Sequence, residues 1–214
     1  MFRSKTVMII GAGASYELGL PIGEQLTQEI AGLLAYQMDD AGRFSNGSES
    51  IETALRRLKH DGRISDVPRY LAAAKVVSDG MAFARSIDNF LEAHAGKEGV
   101  DECGKLAIVE AILSAERRSP LASRRGQPPS LSSIRMTKSW HTEFVKFLTE
   151  NVHLDRIDSL FDNLTFVVFN YDRCLEHFLF HAIRVYYNLP DERVSEVLSR
   201  ARFIHPYGVI GPLP

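Results

Sequence analysis

Residues 5–21, KTVMIIGAGASYELGLP, decide the fold. The apolar run at residues 7–10 is typical of a central parallel strand that is covered on both faces. Small residues follow at once, at positions 11–15, and a helix is expected after them. Small side chains let backbone N–H groups approach a ligand closely, and a helix N-terminus favours a phosphate. This stretch predicts a strand, a glycine turn and a helix, which either hold a dinucleotide or simply connect two elements.

The glycine turn does not match the fingerprint of dehydrogenases. The pattern G-x-G-x-x-G would need a glycine where Tyr16 stands, and Gly19 comes three residues too late. No second strand is predicted within about 30 residues that could carry an acidic ligand for the ribose. An ordinary hydride-transferring oxidoreductase is therefore disfavoured.

Composition is that of a globular protein. The chain has 214 residues, of which 45% are hydrophobic, and a formal net charge of -2. These values predict a single domain, and they give no reason to expect nucleic acid or a membrane as partner. Cys103 and Cys174 are the only cysteines, so a zinc ribbon is excluded, and Cys174 is expected to pack in a core. We expect a cytoplasmic protein.

Hydrophobic periodicity predicts an α/β fold with a parallel sheet. Residues 1–38 and 152–214 form its Rossmann-like part, with further strands at 164–169 and 202–204, and residues 39–151 form a large helical insertion. Helices are expected at 24–37, 51–60, 67–94 (with a break near 78–80), 101–116, 141–151, 175–187 and 191–200. Their apolar faces include Val109, Phe147 and Tyr186.

Two segments of the insertion are predicted to be irregular. Residues 39–50 are polar and contain glycine, so they form a loop in which Ser48 or Ser50 caps the next helix. Residues 117–135, RRSPLASRRGQPPSLSSIR, are rich in arginine, serine and proline and have no period. That composition predicts a solvated, flexible loop rather than a nucleic-acid patch, because no aromatic side chains interleave for base stacking.

Polar or glycine chemistry follows each of the three predicted strands. Gly11-Ala12-Gly13 follows the first strand, Asn170-Tyr171-Asp172 the second and His205 the third. Ligands bind outside the carboxyl ends of parallel strands, so these groups are expected at one edge of the sheet. Other interpretations remain for each: Asn170 and Asp172 could cap the next helix, and His205 could bond a loop carbonyl.

Two histidines lie four residues apart in the helix predicted at 175–187. His177 and His181 would share one helix face, but the sequence offers no nearby carboxylate at a metal-binding spacing as a third ligand. Placement in the core or at the surface is therefore favoured over a zinc site.

Taken together, GAGASYELGLP, FNYDRCLE and HPYG resemble the ordered motifs of the sirtuin (SIR2) fold family. SIDNFL, at residues 86–91, and the helical middle of the chain resemble more specifically the SIR2-like NADases of bacterial antiphage defence. The resemblance implies a sirtuin-like NAD-binding fold with NAD as substrate and without a metal. In this chain it implies NAD contacts from Gly11, Ala12, Gly13, Ala14, Ser15, Gly19, Pro21, Asn170 and Asp172.

The same resemblance implies three catalytic residues. Asn170 would orient the ribose or the attacking water, Asp172 would contact the nicotinamide amide, and His205 would be the general base. The expected reaction is hydrolysis of NAD to nicotinamide and ADP-ribose, by an effector of antiphage defence that forms a homo-oligomer or a larger assembly.

Departures from the family pattern define the alternatives. The four-cysteine zinc module of protein-deacylating sirtuins is absent, and Pro21-Ile22-Gly23-Glu24 replaces their Pro-Asp-Phe-Arg segment. Both differences weaken peptide deacylation. The family's later strands would follow Pro214, so we expect a fragment, an incomplete NAD site, or a site completed by another chain. An enzyme that transfers acyl or ADP-ribosyl groups and a non-catalytic nucleotide-binding assembly module remain as alternatives.

Overall fold

A computed structural model describes residues 2, 4–40, 44–123 and 127–211. Strands and helices alternate at both ends of the chain, and helices fill its middle. In chain order, the elements are β1 (Thr6–Ile10), α1 (Ala12–Tyr16), α2 (Gly23–Leu33), β2 (Gln37–Met38), β3 (Phe44–Ser45), α3 (Glu49–His60), α4 (Val67–Gly80), α5 (Ile87–Ala93), α6 (Val100–Arg118), α7 (Ile134–Thr137), α8 (Trp140–Thr149), β4 (Leu164–Val168), α9 (Cys174–Tyr187), α10 (Asp191–Ser199) and β5 (Arg202–Ile204).

The chain divides into two compact units. One unit comprises Met1–Leu20 and Ala115–Pro214, and the other comprises Pro21–Ser114. The first unit contains the strands β1, β4 and β5 together with α8, α9 and α10. The second begins before α2 and ends within α6, so its bounds differ from the helical insertion predicted at residues 39–151.

A parallel sheet organises the first unit. Among the described residues, three strands form this sheet in the order β1-β4-β5, and both pairs run parallel. Phe166 of β4 lies between Met8 of β1 and Phe203 of β5 in the register. Helices α9 and α10 form the crossover between β4 and β5, and α9 packs against both α8 and α10. The predicted α/β class with a parallel sheet is confirmed.

Within the part of the chain that the structure describes, one face of this sheet is well packed and the other is largely open. Ile10, Phe166 and Val168 are buried on the packed face, whereas Val7 is 62% exposed and Ile9 is 73% exposed on the other. Successive side chains of a strand point to opposite faces, so the exposure alternates along β1. The prediction that β1 is a central strand covered on both faces is wrong for the described residues, because β1 is at the edge of their sheet and its Val7 and Ile9 are exposed.

The second unit agrees with some of the local predictions and differs from others. The side chain of Ser48 caps α3 by accepting a hydrogen bond from the backbone N–H of Ile51, as predicted. The predicted break in the helix at 67–94 is also confirmed, because α4 ends at Gly80 and α5 begins at Ile87. However, α2 ends at Leu33, since the chain then enters the short antiparallel pair β2–β3. Residues 41–43 of the predicted loop lie outside the described residues.

Three predicted apolar faces are wrong in part. Val109 of α6, Phe147 of α8 and Tyr186 of α9 are exposed. Other members of the same predicted faces, including Ile112, Phe144 and Ile183, are buried, so the error is confined to the margin of each packed stripe. The buried residues of α6 and α8 include Cys103, Ala107, Ile108, Ala111, Ile112, His141, Phe144, Val145 and Leu148.

The segment predicted to be a solvated loop at 117–135 is partly structured. Helix α6 continues to Arg118, and the side chains of Ser119 and Leu121 that follow it are buried. The prediction of a solvated loop is therefore wrong at these positions, because the helix extends into the segment and the residues after it are buried. Residues 124–126 of this segment lie outside the described residues.

His141 makes folding of the first unit sensitive to acid. Its side chain is buried against Trp140, with ring centroids 4.2 Å apart, and neither ring nitrogen has a hydrogen-bond partner among the described residues. Burial lowers the pKa of His141 from 6.5 to about 4. The unfolded chain therefore binds more protons than the folded one between these pH values, so stability is lost as pH falls.

We expect acidification from pH 7.5 to pH 4 to lower the free energy of unfolding by about 3 kcal/mol through His141. Urea denaturation at both pH values, in the wild type and in His141→Phe, measures this contribution. The phenylalanine keeps an aromatic ring at the position but does not titrate. The variant should therefore lose about 3 kcal/mol less of its free energy of unfolding on acidification than the wild type does. An equal loss in both proteins would contradict the assignment.

Candidate active site

The glycines of the turn after β1 have free space beside their backbone. Gly11 has an extended conformation (φ −119°), and a Cβ added at Gly11 or Gly13 would meet no atom within 4 Å. Neither backbone strain nor crowding by described residues therefore demands glycine at these two positions. Gly19 differs, because its φ of +88° lies in the left-handed region that favours glycine. Small residues at 11 and 13 leave the end of β1 accessible to another molecule.

Ser15 joins the ends of β1 and β4. Its Oγ donates a hydrogen bond to Asp172 Oδ1 over 2.9 Å and accepts one from Asn170 Nδ2 over 3.0 Å. All three side chains are buried. The structure thus brings together three of the residues predicted to contact NAD, from positions more than 150 apart in the chain.

Helix capping was the alternative role predicted for both Asn170 and Asp172, and the structure distinguishes the two residues. Asp172 Oδ1 accepts a hydrogen bond from the backbone N–H of Cys174 over 3.0 Å, so it does help to start α9. Asn170 bonds Ser15 instead, and its Oδ1 is buried without a partner among the described residues. A buried acceptor without a partner costs free energy of about 1–3 kcal/mol unless another group satisfies it. Among the described residues, Asn170 therefore does not cap α9, and its Oδ1 is left for another group to satisfy.

The other predicted NAD contacts lie nearby in the chain. Ala12 and Gly13 are exposed in α1, and the carbonyl of Ala14 accepts a hydrogen bond from Trp140 Nε1 over 2.7 Å. Pro21 is buried and is the first residue of the second unit.

His205 follows β5 and is held by a carboxylate. Its Nε2 lies 2.9 Å from Glu176 Oε1, and Arg173 Nε donates to the same oxygen over 2.6 Å. The side chain of His205 is 13% exposed and that of Glu176 is 4% exposed. The alternative in which His205 bonds a loop carbonyl is wrong, because the partner is a buried side chain.

Hydrogen bonds join the segment after β5 to the segment after β4. Arg173 Nη1 donates to the carbonyl of Gly211 over 3.2 Å, and the backbone N–H of Ile210 donates to the carbonyl of Tyr171 over 3.3 Å. Among the described residues, no hydrogen bond joins His205 directly to Ser15, Asn170 or Asp172. Residues 170–176 connect the two groups, which share this edge of the sheet.

The candidate site is rich in carboxylates. Glu116, from the end of α6, accepts a hydrogen bond from the backbone N–H of Arg173, while burial and the nearby Asp172 carboxylate raise the pKa of Glu116. Burial and the same carboxylate raise the pKa of Cys174 well above its usual value. Cys174 is therefore a buried neutral thiol, which confirms its predicted packing role.

Sequence reasoning missed Glu116, Arg173 and Glu176. Arg173 and Glu176 have the i, i+3 spacing of a helical ion pair, which was visible in FNYDRCLE. Nothing in that spacing shows that the pair faces inward and meets a histidine 29 residues later. Glu116 lies even farther from these residues in the sequence, and no local pattern marked it as part of the candidate site.

The histidine pair on α9 forms a contact of its own. Nε2 of His177 lies 2.8 Å from Nε2 of His181, and burial lowers the pKa of both, that of His181 to about 4. Both rings are therefore neutral near pH 7. Within the ranges that the structure describes, no three His, Cys, Asp or Glu side chains are grouped so that they could hold a metal ion.

Comparisons with protein-family models, with curated proteins and with solved structures gave no match. The SIR2-like assignment therefore stays a prediction from the three sequence motifs. None of the described helices combines the length and the apolar character that crossing a bilayer requires.

Proposed function

We propose that this chain is a SIR2-like domain that binds NAD as its substrate and hydrolyses it to nicotinamide and ADP-ribose. The observation that carries the proposal is the hydrogen-bonded group of Ser15, Asn170 and Asp172, with His205 after the adjacent strand, at the carboxyl edge of a parallel sheet. Ligands of open α/β sheets bind at this edge. By the same resemblance, we propose a cytoplasmic role in antiphage defence within a homo-oligomer or larger assembly.

The charges of the candidate site suit this substrate. Asp172 and Glu176 are buried, and Glu116 lies beside Asp172. The nicotinamide ring of NAD is cationic, and positive charge passes to the ribose as the glycosidic bond breaks. Carboxylates near such developing charge would lower the barrier, because their hydrogen bonds already hold them in place when the reaction occurs.

The open turn suits the phosphates. Gly11 and Gly13 carry no side chain that would keep a ligand from their backbone, and a Cβ at either position would fill only free space. The pyrophosphate of NAD would lie against this turn, which is the first of the contacts that the family resemblance implies.

Each of the three proposed catalytic residues has a role in the hydrolysis of NAD. The bond between ribose C1′ and the nicotinamide nitrogen breaks, and its electron pair stays on the ring and neutralises it. Water adds to C1′, and His205 accepts the proton that the water loses. Asn170 Oδ1, buried without a partner among the described residues, would orient the ribose or that water, and Asp172 would contact the nicotinamide amide.

We expect Asn170→Ala to lower the rate of NAD hydrolysis by on the order of a hundredfold, because orienting hydrogen bonds of this kind are worth that much in the transition state. Nicotinamide and ADP-ribose are quantified together over time, in the wild type and the variant. Gln28→Ala, at an exposed position of α2, is the control and should retain full turnover. Full turnover in Asn170→Ala would contradict the proposed role of Asn170 in NAD hydrolysis.

A further inference from the structure

Glu176 is a buried carboxylate with two donors on one oxygen. Oε1 accepts from Arg173 Nε over 2.6 Å and lies 2.9 Å from His205 Nε2. Its Oε2 is buried without a partner among the described residues. A carboxylate so deeply buried is expensive to keep unless its charge is paired and hydrogen-bonded, and both partners meet that need.

These partners fix the tautomer of the imidazole. A guanidinium only donates hydrogen bonds, and an ionised carboxylate only accepts them. His205 must then donate from Nε2 to Oε1, which places the ring proton on Nε2. The lone pair of the neutral imidazole is left on Nδ1, which is itself buried and has no hydrogen-bond partner among the described residues.

We propose that Glu176 is a positioning residue that holds His205 in the Nε2–H tautomer, so that Nδ1 is the nitrogen that accepts the proton. Its role in the reaction rests on the proposed function, whereas its hold on the tautomer does not. Arg173 contributes by fixing Glu176 and by holding the carbonyl of Gly211, so one guanidinium secures both the carboxylate and the segment that carries His205.

A purely structural ion pair would behave differently. Glu143 and Lys146 form an i, i+3 pair on α8 that resembles the pair of Arg173 and Glu176 in spacing, but both of its side chains are mostly exposed. Such surface pairs contribute little, and no imidazole depends on them. If Glu176 only stabilised α9, removing its charge would change the free energy of unfolding and leave the tautomer of His205 as it was.

The tautomer can be measured in the wild type without any substrate. In protein labelled with ¹⁵N-histidine, long-range ¹H–¹⁵N correlation spectra distinguish the protonated from the unprotonated ring nitrogen, and His205→Ala assigns the signals. We expect His205 to show a protonated Nε2 and an unprotonated Nδ1 at neutral pH. A predominant Nδ1–H tautomer would overturn the proposal whatever the protein does with NAD.

Glu176→Gln then links the tautomer to turnover. An amide can donate as well as accept, so the variant permits the Nδ1–H tautomer, and we expect both tautomers of His205. NAD turnover should fall at least about tenfold in kcat with KM nearly unchanged, as part of the general base's contribution of about 10²–10⁴ is lost. Glu143→Gln, the matched exposed control, should change neither readout.

The two proposals fail in different ways. Wild-type tautomer and turnover in Glu176→Gln would overturn the role of Glu176 and leave NAD hydrolysis standing. A wild type that shows the Nε2–H tautomer but never consumes NAD would overturn the proposed reaction and leave the hold of Glu176 on His205 standing.

Discussion

His205→Ala is expected to lower NAD hydrolysis by about 10²–10⁴-fold, the range that a positioned general base contributes. The side chain is largely enclosed, and Glu176 fixes its ring through a 2.9 Å hydrogen bond. Alanine removes the group that accepts the proton when water adds to the ribose, and it leaves the Ser15–Asn170–Asp172 group in place. Initial rates of nicotinamide and ADP-ribose release, measured on the same samples, test this result.

Two comparisons make the His205 result specific. His60→Ala changes a histidine whose side chain is 90% exposed at the end of α3, and it should leave turnover unchanged. Urea denaturation of His205→Ala shows whether the variant remains folded at the assay temperature. Wild-type rates in a folded His205→Ala would exclude His205 as the base. Release of nicotinamide without an equal amount of ADP-ribose would point instead to transfer onto another acceptor.

The sheet edge could be predicted because its signals are local. An apolar run followed directly by glycine, or by Asn170 and Asp172, gives both the strand and the point where it ends. The rule that parallel strands present their carboxyl ends at one edge then brings Ser15 near Asp172 without any knowledge of the residues between them. The short strand before His205 followed from the same argument, and the structure confirms it at Arg202–Ile204.

The partners of the candidate site could not be predicted because they depend on which way a helix faces. Arg173 and Glu176 look like an ordinary surface ion pair in sequence, and only the turn of α9 on the sheet directs Glu176 toward His205. The wrong expectation at Tyr186 is of the same kind, because Tyr186 lies in the last turn of α9, beyond the buried Ile183. Periodicity gives the existence of a helix more reliably than the direction of its buried face.

The exposed side of the sheet was missed for a different reason. A continuous apolar run is the pattern of a strand buried on both faces, and Val7 and Ile9 complete that pattern in β1. Exposure depends on what lies above the strand, which its own residues do not determine. The alternation seen in β1 and β4 therefore became visible only in the structure.

Phe166→Ala is expected to lower the free energy of unfolding by about 3–5 kcal/mol, the usual cost of removing a buried phenylalanine. Phe166 is fully buried, stacks on Phe203 with ring centroids 4.6 Å apart, and meets the edges of Phe144 and Phe161. Its loss opens a cavity at the centre of the sheet's packed face, and surrounding rings can collapse into it only partly. Urea denaturation at neutral pH measures the change.

Ile9→Ala is the matched test of the opposite face. Ile9 lies on β1, beside the central strand, but 73% of its surface is exposed, so its side chain removes little apolar area from water on folding. We expect a loss of less than about 1 kcal/mol, a small fraction of the effect at Phe166. A loss at Ile9 as large as that at Phe166 would mean that this face of the sheet is covered in solution, since only a buried isoleucine contributes so much to the free energy of unfolding.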